Sequence, residues 1–178
     1  MKKLYITTPL YYVNDEPHIG TAYTTILADV INRYYKSIGY ETFMLTGTDE
    51  HGLKVQQAAI KNNVSPKKHV DDYAKRFKKT WAKLNIEYDY FIRTTDSKHI
   101  NKVKQILKKL YDKGDIYLDE YEGLYSVSEE RFITEKEAEE GNYREIKKIK
   151  EKNYFFKMSK YQKKLINHIE KNEDFIKP

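Results

Sequence analysis

Short apolar runs alternate with longer helical patterns along the first 115 residues, and this alternation narrows the possible folds most. The runs are rich in β-branched and aromatic residues and lie at 4–8, 42–46 and 90–93. Between the first two, apolar residues from Leu27 to Ile38 recur at three- and four-residue steps, which is typical of a helix with one apolar face. Strands that alternate with helices predict an α/β fold with a parallel, doubly wound sheet.

The pattern changes after residue 115. Two short β-like runs, at 116–118 and 124–127, are separated by a Glu-Gly pair and predict small antiparallel strands. Residues 135–152 are mostly charged. A third β-like run at 154–156 and an amphipathic helical pattern at 160–171 follow.

Composition excludes several kinds of site. The chain has no cysteine, so it forms no disulfide, thiolate zinc site or cysteine nucleophile. No stretch approaches the roughly 18 apolar residues of a membrane-spanning helix, and the N-terminus lacks the apolar core of a signal peptide. We therefore expect a cytoplasmic protein without a membrane partner. The net charge of +6 is compatible with a polyanionic partner but is weak evidence for one.

The segment Tyr11–Thr21, between the first strand and the first helix, has features of a nucleotide site. Ligands of open α/β sheets bind where such segments leave the sheet. The N-terminus of the following helix attracts phosphate, Gly20 permits close approach of a ligand, and His18 can donate to phosphate oxygens. No G-x-G-x-x-G motif is present, which disfavours a dinucleotide. A turn with a surface histidine is an equally weighted alternative.

The segment Thr46–Gly52 leaves the second strand at the same edge of the sheet. Its carboxylate Asp49 is suited to a cationic group such as an amino-acid ammonium. A metal site made of Asp49, Glu50 and His51 is less favoured, because adjacent side chains rarely converge on one ion. Asp49 as a cap of the following helix is a further, compatible interpretation.

Together these segments resemble the start of a methionyl-tRNA synthetase, a class I aminoacyl-tRNA synthetase. The similar stretches are Thr7–Asn14, Pro17–Gly20 and Thr46–Gly52, and shorter ones such as Tyr121–Tyr125 extend the resemblance along the chain. The H-I-G-H type of signature is shared with nucleotidylyltransferases, whereas T-G-T-D-E-H-G is far more restrictive.

The resemblance implies a fold and an activity. The fold would be the first half of a class I synthetase Rossmann-like parallel sheet with a small inserted α+β connective segment. Its parts would be a nucleotide- and methionine-binding half-domain (1–115), a connective insertion without a zinc knuckle (116–152), and a return strand and helix (153–178). The activity would be that of a methionine–tRNA ligase, with ATP and Mg²⁺, L-methionine and tRNA(Met) as substrates and partners.

The resemblance also implies roles for individual residues. The residues that match the family's methionine pocket are Pro9, Leu10, Tyr12 and Asp49, with Asp49 on the α-amino group. Those that match its ATP site are Asn14, His18, Gly20 and Thr21, of which the last three would be catalytic. No residue is expected to bind a metal.

The sequence departs from the family at four places. Thr21 replaces the final histidine of the H-I-G-H signature, which predicts slower adenylate formation. Ser126 and Glu129 occupy the positions of a zinc knuckle, so no zinc is expected. Lys157–Lys160 imitates the K-M-S-K-S signature but is interpreted as part of a strand–helix junction. The length indicates an N-terminal portion of a synthetase, and we expect this portion to be inactive alone.

Two alternatives remain at this stage. A small nucleotidylyltransferase would share the H-x-G signature but would have no use for T-G-T-D-E-H-G. A non-catalytic module could bind tRNA or a protein partner through basic residues such as Lys147–Lys150, although such a run is more often a solvated face.

Overall fold

The computed structural model describes residues 2–129, 131–143 and 145–176, which form two compact units, Met1–Val103 and Lys104–Pro178. No helix in these described ranges is long and apolar enough to cross a membrane. The elements are β1 (Lys3–Tyr12), α1 (Ile19–Ser37), β2 (Glu41–Asp49), α2 (Leu53–Lys61), α3 (Pro66–Lys83), β3 (Tyr90–Arg93), α4 (Ser97–Asp112), β4 (Ile116–Ser126), β5 (Arg131–Ile133), α5 (Glu135–Glu140), β6 (Ile146–Phe156) and α6 (Ser159–Lys171).

The first unit contains a parallel sheet in the order β1-β2-β3, which confirms the predicted α/β class. Tyr12 pairs in register with Asp49, and Thr48 pairs with Arg93. The carboxyl ends of all three strands therefore meet at one edge of the sheet.

Strand β1 is longer than predicted and runs through Pro9. The register with β2 shifts between Thr7 and Leu10, because proline has no N–H to donate to the ladder. The hydroxyl of Thr8 lies 2.8 Å from Pro9 O and 2.8 Å from the hydroxyl of Thr46, and the second contact bonds the irregular segment to β2. Pairing then resumes, so Tyr11 and Tyr12 end the strand instead of starting a loop.

Aromatic residues of α3 pack under the end of β1. Phe77 stacks on Tyr11 with ring centroids 5.7 Å apart, and Trp81 contacts the same ring edge-on at 5.7 Å. The Tyr11 hydroxyl lies 2.7 Å from that of Thr25 on α1. Because all four side chains are buried, they fix the strand end from which the loop to α1 departs.

The second unit contains an antiparallel sheet in the order β5-β4-β6. Its strand β6 is much longer than the predicted run at 154–156. The charged residues before that run belong to the strand, where Lys148 pairs with Glu122 at 2.9 Å and Lys150 with Glu120 at 2.7 Å on β4. Such cross-strand pairs let a charged, solvent-facing segment form a strand without apolar alternation.

A buried carboxylate holds the start of β4 to the start of α6. Asp115 has no solvent-exposed surface, and it accepts hydrogen bonds from Lys160 and Tyr161. The Lys113 ammonium lies 3.4 Å from the same carboxylate. Hydrogen bonds from Lys160 and Tyr161 lower the pKa of Asp115 from 3.8 to about 2. Lys160, the last residue of the K-M-S-K run, is therefore engaged in this structural cluster.

Replacing Asp115 with asparagine is expected to lower the midpoint of thermal unfolding by about 5 °C at neutral pH. Because the folded-state pKa is depressed, the carboxylate stabilises the fold above about pH 4, and this stabilisation is lost as the pH falls towards 2. Thermal unfolding of both proteins between pH 2 and 7 measures the effect. A difference between them that stays constant from pH 4 to 2 would contradict this assignment.

Candidate functional site at the carboxyl edge of the parallel sheet

A cleft of about 450 Å³ opens where β1 ends and α1 begins. Of the eight residues with implied roles, five line this cleft: Leu10, Tyr12, Asn14, His18 and Thr21. The remaining lining residues are Tyr11, Asp15, Glu16 and Phe77. The other three implied residues, Pro9, Gly20 and Asp49, do not line it, although Asp49 is the register partner of Tyr12.

His18 is the N-cap residue of α1. Its Nδ1 accepts a hydrogen bond from the Gly20 N–H at 3.1 Å, while its exposed ring faces solvent. A Cβ at Gly20 would lie 3.0 Å from Cε1 and 3.1 Å from Nδ1 of this ring, which is tighter than ordinary contacts. Glycine at position 20 therefore lets the histidine fold back over the helix start.

Thr21 completes a capping box with His18. Its hydroxyl accepts from the His18 N–H at 3.1 Å and donates to the His18 carbonyl at 2.7 Å. The first turn of α1 holds no acidic residue, so the positive end of its dipole remains uncompensated. The helix start can thus attract an anion, but the Thr21 hydroxyl would have to leave its cap to donate to one.

Helix α3 anchors the loop that carries these residues. His69 is buried, and its Nε2 lies 2.6 Å from the carbonyl oxygen of Val13, so this nitrogen carries the proton and donates. Arg76 of α3 forms an ion pair with Glu16 of the same loop. Neither contact was anticipated from the sequence, since the partners are more than 50 positions apart and carry no local pattern.

Asp49 is the last residue of β2 and is half-buried. Within residues 2–129, 131–143 and 145–176, no group forms a hydrogen bond or ion pair with its carboxylate. A half-buried carboxylate without a partner attracts a cationic group that can supply charge-assisted hydrogen bonds. The following helix, α2, begins at Leu53 and has Gly52 as its N-cap residue, so the interpretation of Asp49 as a helix cap is wrong.

The neighbours of Asp49 do not join it in a metal site. The Glu50 side chain is fully buried and pairs with Arg93, while Nε2 of His51 lies 3.4 Å from the carbonyl oxygen of Thr94. In the part of the chain that the structure describes, no three His, Asp or Glu side chains are grouped as metal ligands would be. A cationic ligand fits this turn better than an ion held by three consecutive residues.

Glu50, the residue after Asp49, belongs to an ion-pair network with Arg93 and Asp71 that was not predicted from the sequence. Arg93 donates two hydrogen bonds to Glu50, at 2.6 and 2.9 Å, and a third to Asp71 at 2.7 Å. The hydrogen bonds to Glu50, and then to Asp71, raise the pKa of Arg93. Arg93 and then Lys67 lower the pKa of Asp71. Arg93 and Asp71 are therefore both charged at neutral pH.

Hydrogen bonds occupy the turn at Ser126, where the sequence resemblance implied the positions of a zinc knuckle. Ser126 is buried, and its hydroxyl lies 3.1 Å from that of Ser128 and accepts from the Glu129 N–H at 3.2 Å. Serine hydroxyls are poor zinc ligands, so the groups present suit a hydrogen-bonded turn better than a metal.

The basic run of β6 is largely paired. Besides the pairs with β4, Lys147 lies 2.8 Å from Glu145. Three of its lysines thus face carboxylates, which lowers the positive potential that an RNA-binding face would need. The structure gives little support to the RNA-binding alternative at this run.

Similarity to known proteins extends over nearly the whole chain. A family model described as tRNA synthetases class I (M) matches residues 4–142, more than half of the chain. A methionine–tRNA ligase of Clostridium perfringens is 50% identical over 181 residues, which cover 99% of this chain and 28% of that protein. A methionine–tRNA ligase of Thermotoga maritima is 48% identical over 184 residues, covering 99% of this chain and 29% of that protein. The chain thus spans less than a third of these curated relatives.

A solved structure shows the same fold. Mycobacterium tuberculosis methionyl-tRNA synthetase in complex with methionyl-adenylate matches with a TM-score of 0.92 and 40% identity, covering all of this chain and 36% of that one.

Proposed function

Because this chain belongs to the family of class I tRNA synthetases (M), we propose that it supplies the methionine- and ATP-binding part of a methionine–tRNA ligase. The observation that carries this proposal is the carboxylate of Asp49, which has no hydrogen-bond or ion-pair partner among the described residues. Asp49 pairs in register with Tyr12, next to the N-terminus of α1, whose first turn holds no acidic residue. A carboxylate for an ammonium and a helix start for phosphates thus lie at one sheet edge. The cytoplasm, where tRNA is charged, is the proposed location.

The proposed reaction joins methionine to the α-phosphate of ATP. An oxygen of the methionine carboxylate attacks the α-phosphorus, the bond to the bridging oxygen breaks, and pyrophosphate leaves with that electron pair. Methionyl-adenylate then passes its methionine to the terminal adenosine of tRNA(Met). No protein nucleophile is required, since positioning and charge stabilisation supply the catalysis.

Each implied residue has a role in this proposal. Asp49 binds the α-ammonium, and Pro9, Leu10 and Tyr12 contact the rest of methionine. His18 and the N–H groups around Gly20 bind ATP phosphates, with Asn14 and Thr21 nearby. Mg²⁺ would bind together with ATP as its complex, and no residue is assigned as a ligand of the ion.

We also propose the division of the chain into 1–115, 116–152 and 153–178, with no zinc in the middle part. The buried hydrogen-bonded turn at Ser126 supports the part of this proposal that concerns zinc. Elemental analysis of the purified chain tests it, and one zinc per chain would refute it.

The test of the proposed function uses a chimera in which this chain replaces the matching 181-residue segment of the C. perfringens relative. The chimera is used because the chain spans only 28% of that protein. The measurement is ATP–pyrophosphate exchange with and without methionine, beside the 178-residue chain alone. Exchange that depends on methionine supports the proposal, whereas a folded chimera without such exchange contradicts it.

Thr21→His in the chimera is expected to raise methionine-dependent exchange about tenfold. An imidazole can carry a positive charge to the phosphates, whereas the Thr21 hydroxyl is held in the cap of α1. Thr24→His, one turn further along the helix, is the matched control and should not raise the rate. An unchanged rate in the Thr21 variant would refute the idea that threonine slows adenylate formation.

A further inference from the structure

We propose that Glu50, Arg93 and Asp71 form a positioning network that fixes the orientation of Asp49 without touching the substrate. This inference rests on the proposed function for the role of Asp49. Glu50 neighbours Asp49 in the loop motif, but in this proposal its role is to position Asp49 and not to bind the ligand.

The Glu50 carboxylate is saturated by internal donors. One oxygen accepts from Nε of Arg93 at 2.6 Å and from the Thr48 hydroxyl at 2.7 Å. The other accepts from Nη2 of Arg93 at 2.9 Å and from the Thr95 hydroxyl. Because the side chain is also fully buried, Glu50 has neither free lone pairs nor access to a ligand.

Backbone contacts join the same two segments. The Glu50 N–H donates to the Thr94 hydroxyl at 2.9 Å, and the Thr94 N–H donates to the Thr48 carbonyl at 3.3 Å. The residue directly after Asp49 is therefore bound through both its backbone and its side chain to the segment that follows β3. Consecutive residues of an extended chain project to opposite faces, so holding Glu50 inside directs Asp49 outward.

Arg93 connects this turn to α3. Its Nη2 donates to both Glu50 and Asp71, and Asp71 also pairs with Lys67 at 3.1 Å. The guanidinium fork can bond two carboxylates at once in fixed geometry, whereas a lysine ammonium is a point charge on a flexible stem. Arg93→Lys keeps the charge but removes the fork, and it therefore separates positioning from electrostatics.

The first experiment measures amide hydrogen exchange in the 178-residue chain. Arg93→Lys is expected to lower the protection of the Glu50 and Thr94 amides at least about tenfold, while the Ala22 amide of α1 stays unchanged. Lys67→Ala, which removes a charge beside Asp71 but leaves the Arg93–Glu50 pair, is the matched control. Unchanged protection at Glu50 and Thr94 would overturn the proposal.

The second experiment measures substrate kinetics in the chimera. Arg93→Lys is expected to raise KM for methionine about tenfold, with kcat and KM for ATP within about twofold of the parent. The inhibition constant of the desamino analogue of methionine should not change, since this analogue lacks the ammonium that Asp49 binds. A fall in kcat with KM for methionine unchanged, or an equal loss of affinity for the analogue, would show a merely structural role and overturn the proposal.

Failure of the proposed function gives a different result. A parent chimera without methionine-dependent exchange would reject methionine activation itself. The hydrogen-exchange comparison needs no ligand and still decides whether Arg93 orders the turn.

Discussion

Asp49→Ala is expected to reduce the kcat/KM of the chimera for methionine at least about 100-fold. In the proposed complex the Asp49 carboxylate is the charged partner of the α-ammonium. No group of the described residues forms a hydrogen bond or ion pair with that carboxylate. Removing it would leave a cation in a half-buried site without its counter-charge. Methionine-dependent ATP–pyrophosphate exchange at varied methionine measures the loss.

Glu41→Ala is the matched control for this substitution. Glu41 begins the strand that Asp49 ends, and it is an exposed carboxylate paired with Lys3. Its removal should change exchange by less than about twofold, as expected for an exposed ion pair. An Asp49 variant that is folded and as active as the Glu41 variant would show that the carboxylate does not bind methionine.

Gly47→Ala is expected to lower the free energy of unfolding by about 3 kcal/mol. A Cβ at position 47 would lie 2.0 Å from the carbonyl oxygen of Ile92 and 2.7 Å from Cγ2 of the same residue. The first of these atoms belongs to the backbone of β3, so the central and edge strands would have to separate. Urea unfolding followed by the fluorescence of Trp81, the one tryptophan and a fully buried one, measures the change.

Gly39→Ala is the control that distinguishes the cost of a steric clash from the cost of backbone strain. Gly39 has φ of +86° and open space around a Cβ, so alanine there should cost only about 1 kcal/mol. If the two substitutions cost the same, the close approach of β3 to Gly47 does not constrain the sheet.

The class of the fold could be predicted from the sequence because strand and helix periods differ clearly in the first unit. The strand at 90–93 is confirmed, and the parallel order follows from the intervening helices. Which face of α1 is buried was harder to predict from the sequence. Its apolar residues Leu27 and Val30 are about half exposed, while the polar Asp29 is buried. Asp29 pairs with Arg33 and accepts from the Glu87 N–H, and such a distant partner leaves no periodic signal.

The candidate site was only partly predictable for a similar reason. His18, Gly20 and Asp49 lie in short contiguous motifs next to strand ends, where sequence position already indicates the sheet edge. Glu50 and Arg93 are 43 positions apart and meet only because β2 and β3 are neighbours. The one signal that could have pointed to a buried partner was an arginine as the last residue of the β-like run at 90–93.

The most direct test of the central claim is methionine-dependent ATP–pyrophosphate exchange by the chimera, measured beside its Asp49→Ala variant. We expect exchange that requires methionine in the parent and falls at least about 100-fold in the variant. A folded chimera whose exchange is absent, or is equally fast without methionine, would contradict the assignment of this chain to methionine activation.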